Sequence, residues 1–412
     1  MRDDNALYMD VESMEPMMPE DTSGKLEKIA TEIIHKAGRL SGALHPITSH
    51  AIAEFLRPMN SYYSNLIEGH DTHPIDIDRA LKNDFSKDSK MRNLQLEARA
   101  HIMLFEEIQN NMHSSPSFIA LSSEYIKNIH KGFYEHLPDE FKEVLDRDGK
   151  TRHVISGEFR TDEVEVGRHI APYSGSLDSM MNRFENFYNP VNNNNKSKIK
   201  RIIQIAASHH RLVWIHPFLD GNGRVVRLLS DACFMYEDID ADGLWSISRG
   251  LARFNTEYKA RLANADMRRL GDYDGRGNLS NKMLIEFCEF FLKIVIDQID
   301  YMYSILDLDH MLQRIERFTD LMVSKDILRI EAKFILTDVF LKGKITKSDA
   351  MRITNLSDKT LKNLTDKLIE LELLEAKKEG IQIYYYVKYP MKFSPYLFTG
   401  LYPKDKELQM LQ

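Results

Sequence analysis

One segment of this sequence concentrates the residue types that phosphoryl and nucleotidyl transfer require: Ile215-His216-Pro217-Phe218-Leu219-Asp220-Gly221-Asn222-Gly223-Arg224-Val225-Val226-Arg227. Gly221, Asn222 and Gly223 tolerate left-handed backbone and stand just before an apolar helical run. Their successive N–H groups can therefore converge into an anion-binding concavity at a helix N-terminus. Arg224 and Arg227, three apart, share one face of that helix and offer forked donors to phosphate oxygens. Asp220 is a hard oxygen ligand suited to Mg²⁺ riding on such phosphates. His216, on the other flank of the loop, is placed to take a proton from an attacking hydroxyl. Taken singly, a D-G-N-G turn or a His beside Pro is ordinary. In register, they are the parts of a transfer site.

The elements that must position these residues are mostly helical. Ile29, Ile33, Ile34 and Ala37 recur at helical spacing, and a second amphipathic run covers Ile52 to Met59. The stretch from Asn60 to His70 is richer in polar residues, with Gly69 as its helix stop. Leu94–Ile108, Ile119–Leu137, Ser176–Tyr188, Ile199–Ile215, Val225–Tyr236 and Asn281–Leu308 continue the helical pattern. Between Arg152 and Pro172 the period changes. Val164 and Val166 alternate with Glu163 and Glu165, bracketed by Gly157 and Gly167, which predicts a short hairpin.

The C-terminal part reads differently. Glu331–Leu341 and Thr346–Arg352 are short helices, and Ser357 caps a third whose Leu361, Leu364, Leu368 and Leu371 follow 3-4-3 spacing. The β-rich Ile381–Val387 follows, so the order is that of a winged helix. Residues 340–390 carry a local net charge of +3 inside a chain of net −7. Lys359, Lys362 and Lys367 on the third helix suit phosphate contact, which makes DNA a candidate partner through residues 340–390. Asp358, Asp366, Glu370 and the lack of an Arg for guanine weigh against base reading.

With 412 residues, 43% of them hydrophobic, the chain is long enough for two or three domains. Its 19 Gly and 13 Pro exclude collagenous and low-complexity classes. Two cysteines, Cys233 and Cys288, both in apolar helical contexts, offer no disulfide framework, which fits a reducing, cytoplasmic compartment. No apolar run is long enough for a membrane span, and the N-terminus lacks the apolar region of a secretory signal.

The segment from His216 to Arg227 resembles the signature of the Fic (filamentation induced by cAMP) family, H-P-F-x-D-G-N-G-R-x-x-R, at every specified position. The resemblance implies an all-α fold: a helical core with a short β-hairpin flap, here with a C-terminal winged helix-turn-helix domain added. It implies an enzyme that transfers AMP from ATP to a Ser, Thr or Tyr hydroxyl of a protein. His216 would deprotonate that hydroxyl, Asp220 would hold Mg²⁺, and Phe218 would anchor the loop. Gly221, Asn222 and Gly223 would bind phosphates through the backbone, with Arg224 and Arg227 on the β- and γ-phosphates. Asn255 and Tyr258 fall where family members often contact adenosine. The stretch Gly157, Arg160, Val164, Val166, Gly167 falls where the family carries the flap that aligns the target by strand pairing.

Ser64-Asn65-Leu66-Ile67-Glu68-Gly69 matches the family's inhibitory pattern [S/T]-x-x-x-E-[G/N]. Ser64, Glu68 and Gly69 would thus form an inhibitory element in which Glu68 pairs with Arg227 and occupies the γ-phosphate position. Expected units are a mobile tail (1–22), an inhibitory helical region (23–112), a catalytic core (113–310), a winged helix (325–390) and a C-terminal tail (391–412). The acceptor is a protein, with the chain itself and a homodimer among the options. Alternative readings are a hydrolase removing AMP at the same site, and a DNA-binding regulator that senses ATP.

Overall fold

The computed structural model describes residues 8–114, 121–145, 149–167, 169–190 and 196–411. Residues 1–7 of the expected tail lie outside them, but residues 8–22 are not a mobile tail. Met14 and Met17 are fully buried. The Pro16 carbonyl accepts from Nε and Nη2 of the buried Arg211 at 3.1 and 2.8 Å. The Leu279 amide donates to the Glu15 carbonyl at 2.9 Å, and the Tyr188 hydroxyl donates to that of Met17. Periodicity is absent from this sequence because the segment is a strap held by distant donors on its carbonyls.

Helices α1 (Lys25–Ser41), α2 (Pro46–Ile67), α3 (Pro74–Leu81), α4 (Ser89–Ser114) and α5 (Ser123–Glu135) open the fold. Pro46 starts α2 at a position where no N–H is needed, while His45 Nδ1 accepts from the Ile47 amide. The helix ends at Glu68, and Gly69 turns the chain at φ +90°. Two small hairpins follow: β1 (Glu143–Leu145) with β2 (Thr151–His153), and β3 (Glu165–Val166) with β4 (His169–Ile170).

The hairpin expected between Gly157 and Gly167 is therefore displaced. Gly167, at φ +63°, sits after Val166 in the β3–β4 turn. Gly157, at φ +78°, instead packs under α5, where a Cβ would lie 3.0 Å from Lys131 Cβ and 3.3 Å from the Lys127 carbonyl. Alternation identified extended chain but not its partner, since register depends on which segments meet.

Next come α6 (Leu177–Tyr188), α7 (Lys198–Ile215), α8 (Asn222–Tyr236), α9 (Ile247–Arg253), α10 (Asn255–Ala265) and α11 (Asn281–Ile305). Helix α7 is buried along most of its length and packs against α1, α6, α8 and α11. After α12 (Leu308–Ser324) the winged unit comprises α13 (Ala332–Lys342), β5 (Lys344–Thr346), α14 (Lys347–Thr354), α15 (Asp358–Glu370), β6 (Leu374–Glu379) and β7 (Gln382–Val387). Its antiparallel sheet has the order β5-β7-β6. Thr346 and Asp349 form a capping box at α14, and Leu361, Leu364 and Leu368 face the core. On α15, Lys359 and Lys362 are exposed, and Lys367 pairs with Glu370 at 2.8 Å.

Residues 391–411 are packed too, contrary to the expected tail. They include α16 (Ser394–Leu397) and α17 (Lys404–Met410) and return along α2. Phe398 is fully buried, 4.8 Å from the Phe55 ring. The Tyr63 hydroxyl donates to the Leu401 carbonyl at 2.8 Å. The fold is all-α with three small sheets among the described residues, and one hydrophobic core runs from Met14 to Met410. Phe398→Ala is expected to cost about 3–5 kcal/mol of unfolding free energy by denaturant titration, a loss below about 1 kcal/mol contradicting this packing.

Candidate active site

The loop between α7 and α8 holds most of the chemistry. His216 caps α7 in left-handed backbone, φ 50°. Phe218 is fully buried and stacks on His130 with ring centroids 4.0 Å apart. The Phe218 amide donates to Asn222 Oδ1 at 2.9 Å, and Asn222 Nδ2 donates back to the Phe218 carbonyl at 2.7 Å. The Asn222 side chain thus closes the loop and leaves its backbone at the α8 N-terminus. Gly221 begins that helix at φ +79°, with a hypothetical Cβ 3.3 Å from the Tyr134 ring, so only glycine combines this turn with this contact.

His130 organises the loop from below. Its Nδ1 accepts from the Gly157 amide at 2.8 Å, which leaves the proton on Nε2 to donate to the Asp220 carbonyl at 3.3 Å. Burial lowers its pKa to about 4, in keeping with that neutral tautomer. The Asp220 carboxylate accepts from the Tyr134 hydroxyl at 2.7 Å and from Arg224 Nη2 at 3.3 Å, with its side chain 41% exposed to the cleft. Burial pushes its pKa up, but Arg224 and the Tyr134 hydrogen bond outweigh it, so the group is held below the usual carboxylate value.

Both cations are engaged by carboxylates. Arg224 lies over the Phe133 ring at 4.5 Å and 3.7 Å from Glu97, and its buried Nε has no partner among the described residues. Arg227 is almost wholly buried. It donates from Nε to Ser64 Oγ at 3.0 Å, and from Nη2 to the Ser64 carbonyl at 3.1 Å and Glu68 Oε1 at 2.7 Å. Burial raises the Glu68 pKa, yet the Arg227 charge and hydrogen bond win and keep it below the ordinary value. The Glu68 carboxylate rests on Gly223, where a Cβ would come within 2.3 Å of Oε1. Gly69 supplies the left-handed turn that follows.

Glu68, His216, Asp220 and residues 221–224 line one cleft of about 880 Å³, together with Val164, Val166 and residues of both hairpins, while Arg227, His130 and Tyr134 support it from behind. Burial, with His169 and Arg160 nearby, lowers the His216 pKa to about 4. Burial outweighs a backbone hydrogen bond with Val213 that acts in the opposite sense, so the imidazole is neutral at ordinary pH and able to accept a proton.

Three expected residues have other places. Arg160 does not present itself to a target. Its side chain is buried, donating from Nε to the His216 carbonyl at 2.8 Å, from Nη1 to Asp162 and from Nη2 to Pro172. It therefore positions the base. Tyr258 is buried behind Arg227, with its hydroxyl 2.7 Å from His209 Nε2. His209 Nδ1 lies 2.8 Å from Ser230 Oγ, whose own proton goes to the Val226 carbonyl. Nε2 is consequently the acceptor for Tyr258, which is a core residue and not a lining one. Asn255 begins α10 and does not line the cleft.

Sequence reasoning passed over His130, Tyr134, Glu97 and the N-terminal Tyr8 and Met9. None carries a local motif, because each reaches the site through long-range packing.

Fold and site together define a helical protein with a glycine-rich helix N-terminus opening on a cleft, a neutral imidazole at its edge and an internal carboxylate on a buried arginine beside it. The model of the Fic/DOC family matches residues 120–233. "Protein adenylyltransferase Fic" of Drosophila virilis is 35% identical over 114 residues, covering 27% of this chain and 23% of that protein. The protein of that name from Drosophila melanogaster matches equally, again over 23% of its length. The chain thus spans under a quarter of these curated relatives. A crystal structure of a Fic family protein from Desulfovibrio desulfuricans aligns over 90% of this chain and 99% of that one. Its TM-score of 0.52 at 16% identity is a likeness of fold.

The His216 environment predicts a pH profile. Its base form is lost only as pH falls through about 4, so the activity proposed below shows no inflection near 6.5. Rates measured between about pH 5.5 and 8 test this, and a His-like inflection near 6.5 that disappears in His216→Ala contradicts it.

Proposed function

We propose that this protein is an adenylyltransferase that moves AMP from ATP to a hydroxyl of a protein and restrains itself through Glu68. The observation that carries the reading is one cleft joining a neutral His216, Asp220 and the α8 N-terminus, with Arg227 held by Glu68. Residues 221–223 offer backbone N–H groups to phosphate oxygens.

In the proposed reaction His216 takes the proton of the acceptor hydroxyl, whose oxygen attacks the α-phosphorus in line. The bond to the bridging oxygen breaks, and pyrophosphate leaves. Among the described residues no three His, Cys, Asp or Glu groups cluster into a protein-only metal cage. A single, partly exposed carboxylate at Asp220 suits Mg²⁺, which keeps waters and substrate phosphates as its other ligands. Bound there, Mg²⁺ would neutralise phosphate charge and orient the polyphosphate.

Glu68 restrains this chemistry by occupying donors that a terminal phosphate needs. Removing it leaves Arg227 buried and uncompensated, a state that an incoming phosphate relieves. The proposed acceptor is a polypeptide segment. No helix among the described residues is long and apolar enough to cross a membrane.

With ATP labelled at the α-phosphate, Glu68→Gly is expected to raise protein labelling more than about tenfold over the parent. Adding His216→Ala lowers it about a hundredfold to ten-thousandfold while ATP binding persists. Labelling that ignores Glu68→Gly defeats the restraint, and labelling that survives His216→Ala removes the base.

A further inference from the structure

The mouth of the cleft has a second character that transfer chemistry does not use. Met9, Leu145, Val166 and Tyr173 stand there 47, 74, 48 and 49% exposed, contributed by the strap, β1, β3 and the turn after β4. A single exposed apolar residue is ordinary, but four converging above a proton-accepting histidine form an interaction surface. The charged groups among them are already paired. Arg152 meets Asp162 at 3.1 Å, and Glu163 accepts from the Ser174 amide and hydroxyl at 3.0 and 2.8 Å. What the rim offers a partner is therefore an apolar patch set among paired charges.

The strap holds its end of this surface in place. The Tyr8 carbonyl accepts from the Tyr173 amide at 3.3 Å, and the Tyr8 ring meets Trp214 edge-on at 5.4 Å. Behind them the buried Arg211 guanidinium anchors the Pro16 carbonyl. Met9 thus projects from a fixed backbone, opposite side chains of the two hairpins.

We propose that Met9 and Leu145 form an apolar clamp that selects acceptor segments carrying a bulky apolar side chain within two residues of the modified hydroxyl. This rests on the adenylyltransferase reading. The occupant is an extended polypeptide, because its hydroxyl must descend to His216 while neighbouring residues, spaced about 3.3 Å apart, stay at the mouth. Apolar flanks cover the exposed rim, whereas polar flanks lose water there without gaining partners.

The test uses the full chain carrying Glu68→Gly, ATP labelled at the α-phosphate, and two synthetic peptide pools with central Tyr, Thr or Ser. The pools differ only in their flanks, Leu and Ile in one, Ser and Gln in the other. The apolar pool is expected to show about tenfold higher kcat/KM, the preference falling to about twofold or less when Met9→Ser and Leu145→Ser are added. ATP titration of that variant checks that it is folded. Equal use of both pools, or a preference that survives both substitutions, overturns the clamp alone. Label entering no peptide and no protein overturns adenylyl transfer and the clamp with it.

Discussion

The structure turns on which groups already hold the donors of the buried Arg227. Its donors go to Ser64 and Glu68, all from the last turn of α2 and the residue that ends it. Arg227 is nearly inaccessible, so the pair is costly to break from one side only. Any phosphate that seeks this fork must displace a carboxylate tethered to a helix.

That helix is braced. Along α2, Ser61 donates to the Ala98 carbonyl on α4, Thr48 donates to the Phe340 carbonyl of the winged unit, and Phe55 and Tyr63 meet the returning C-terminal segment. Beyond Glu68, His70 pairs with Glu97, which also stands 3.7 Å from Arg224. The turn that carries Glu68 is therefore locked to the rest of the molecule from both sides, and its position is a property of the whole fold.

The catalytic loop obeys the same economy. His216 and Gly221 sit in left-handed backbone, and Asn222 clips the loop to Phe218. Around them His130 and Tyr134 of α5 donate to Asp220, and Arg160 donates to the His216 carbonyl. A neutral His216 and an ionised Asp220 four residues apart follow from these surroundings: apolar burial dominates at one, a cation and a hydroxyl at the other.

The sequence by itself determined what is local. The helical periods and the His216–Arg227 cluster are each legible within about twenty residues, because side-chain spacing and backbone tolerance are local properties, whereas the S-x-x-x-E-G element at Ser64–Gly69 stands out only beside a family resemblance. Tertiary structure decided the partners. It moved the flap hairpin to Glu165–Ile170, turned Arg160 from a presumed docking residue into a support for His216, and buried Tyr258 behind Arg227. It also converted both presumed tails into packed segments, one lining the cleft and one bracing α2. Those outcomes depend on which carbonyls, rings and charges meet across 50 to 340 residues of chain, and no spacing rule encodes such meetings.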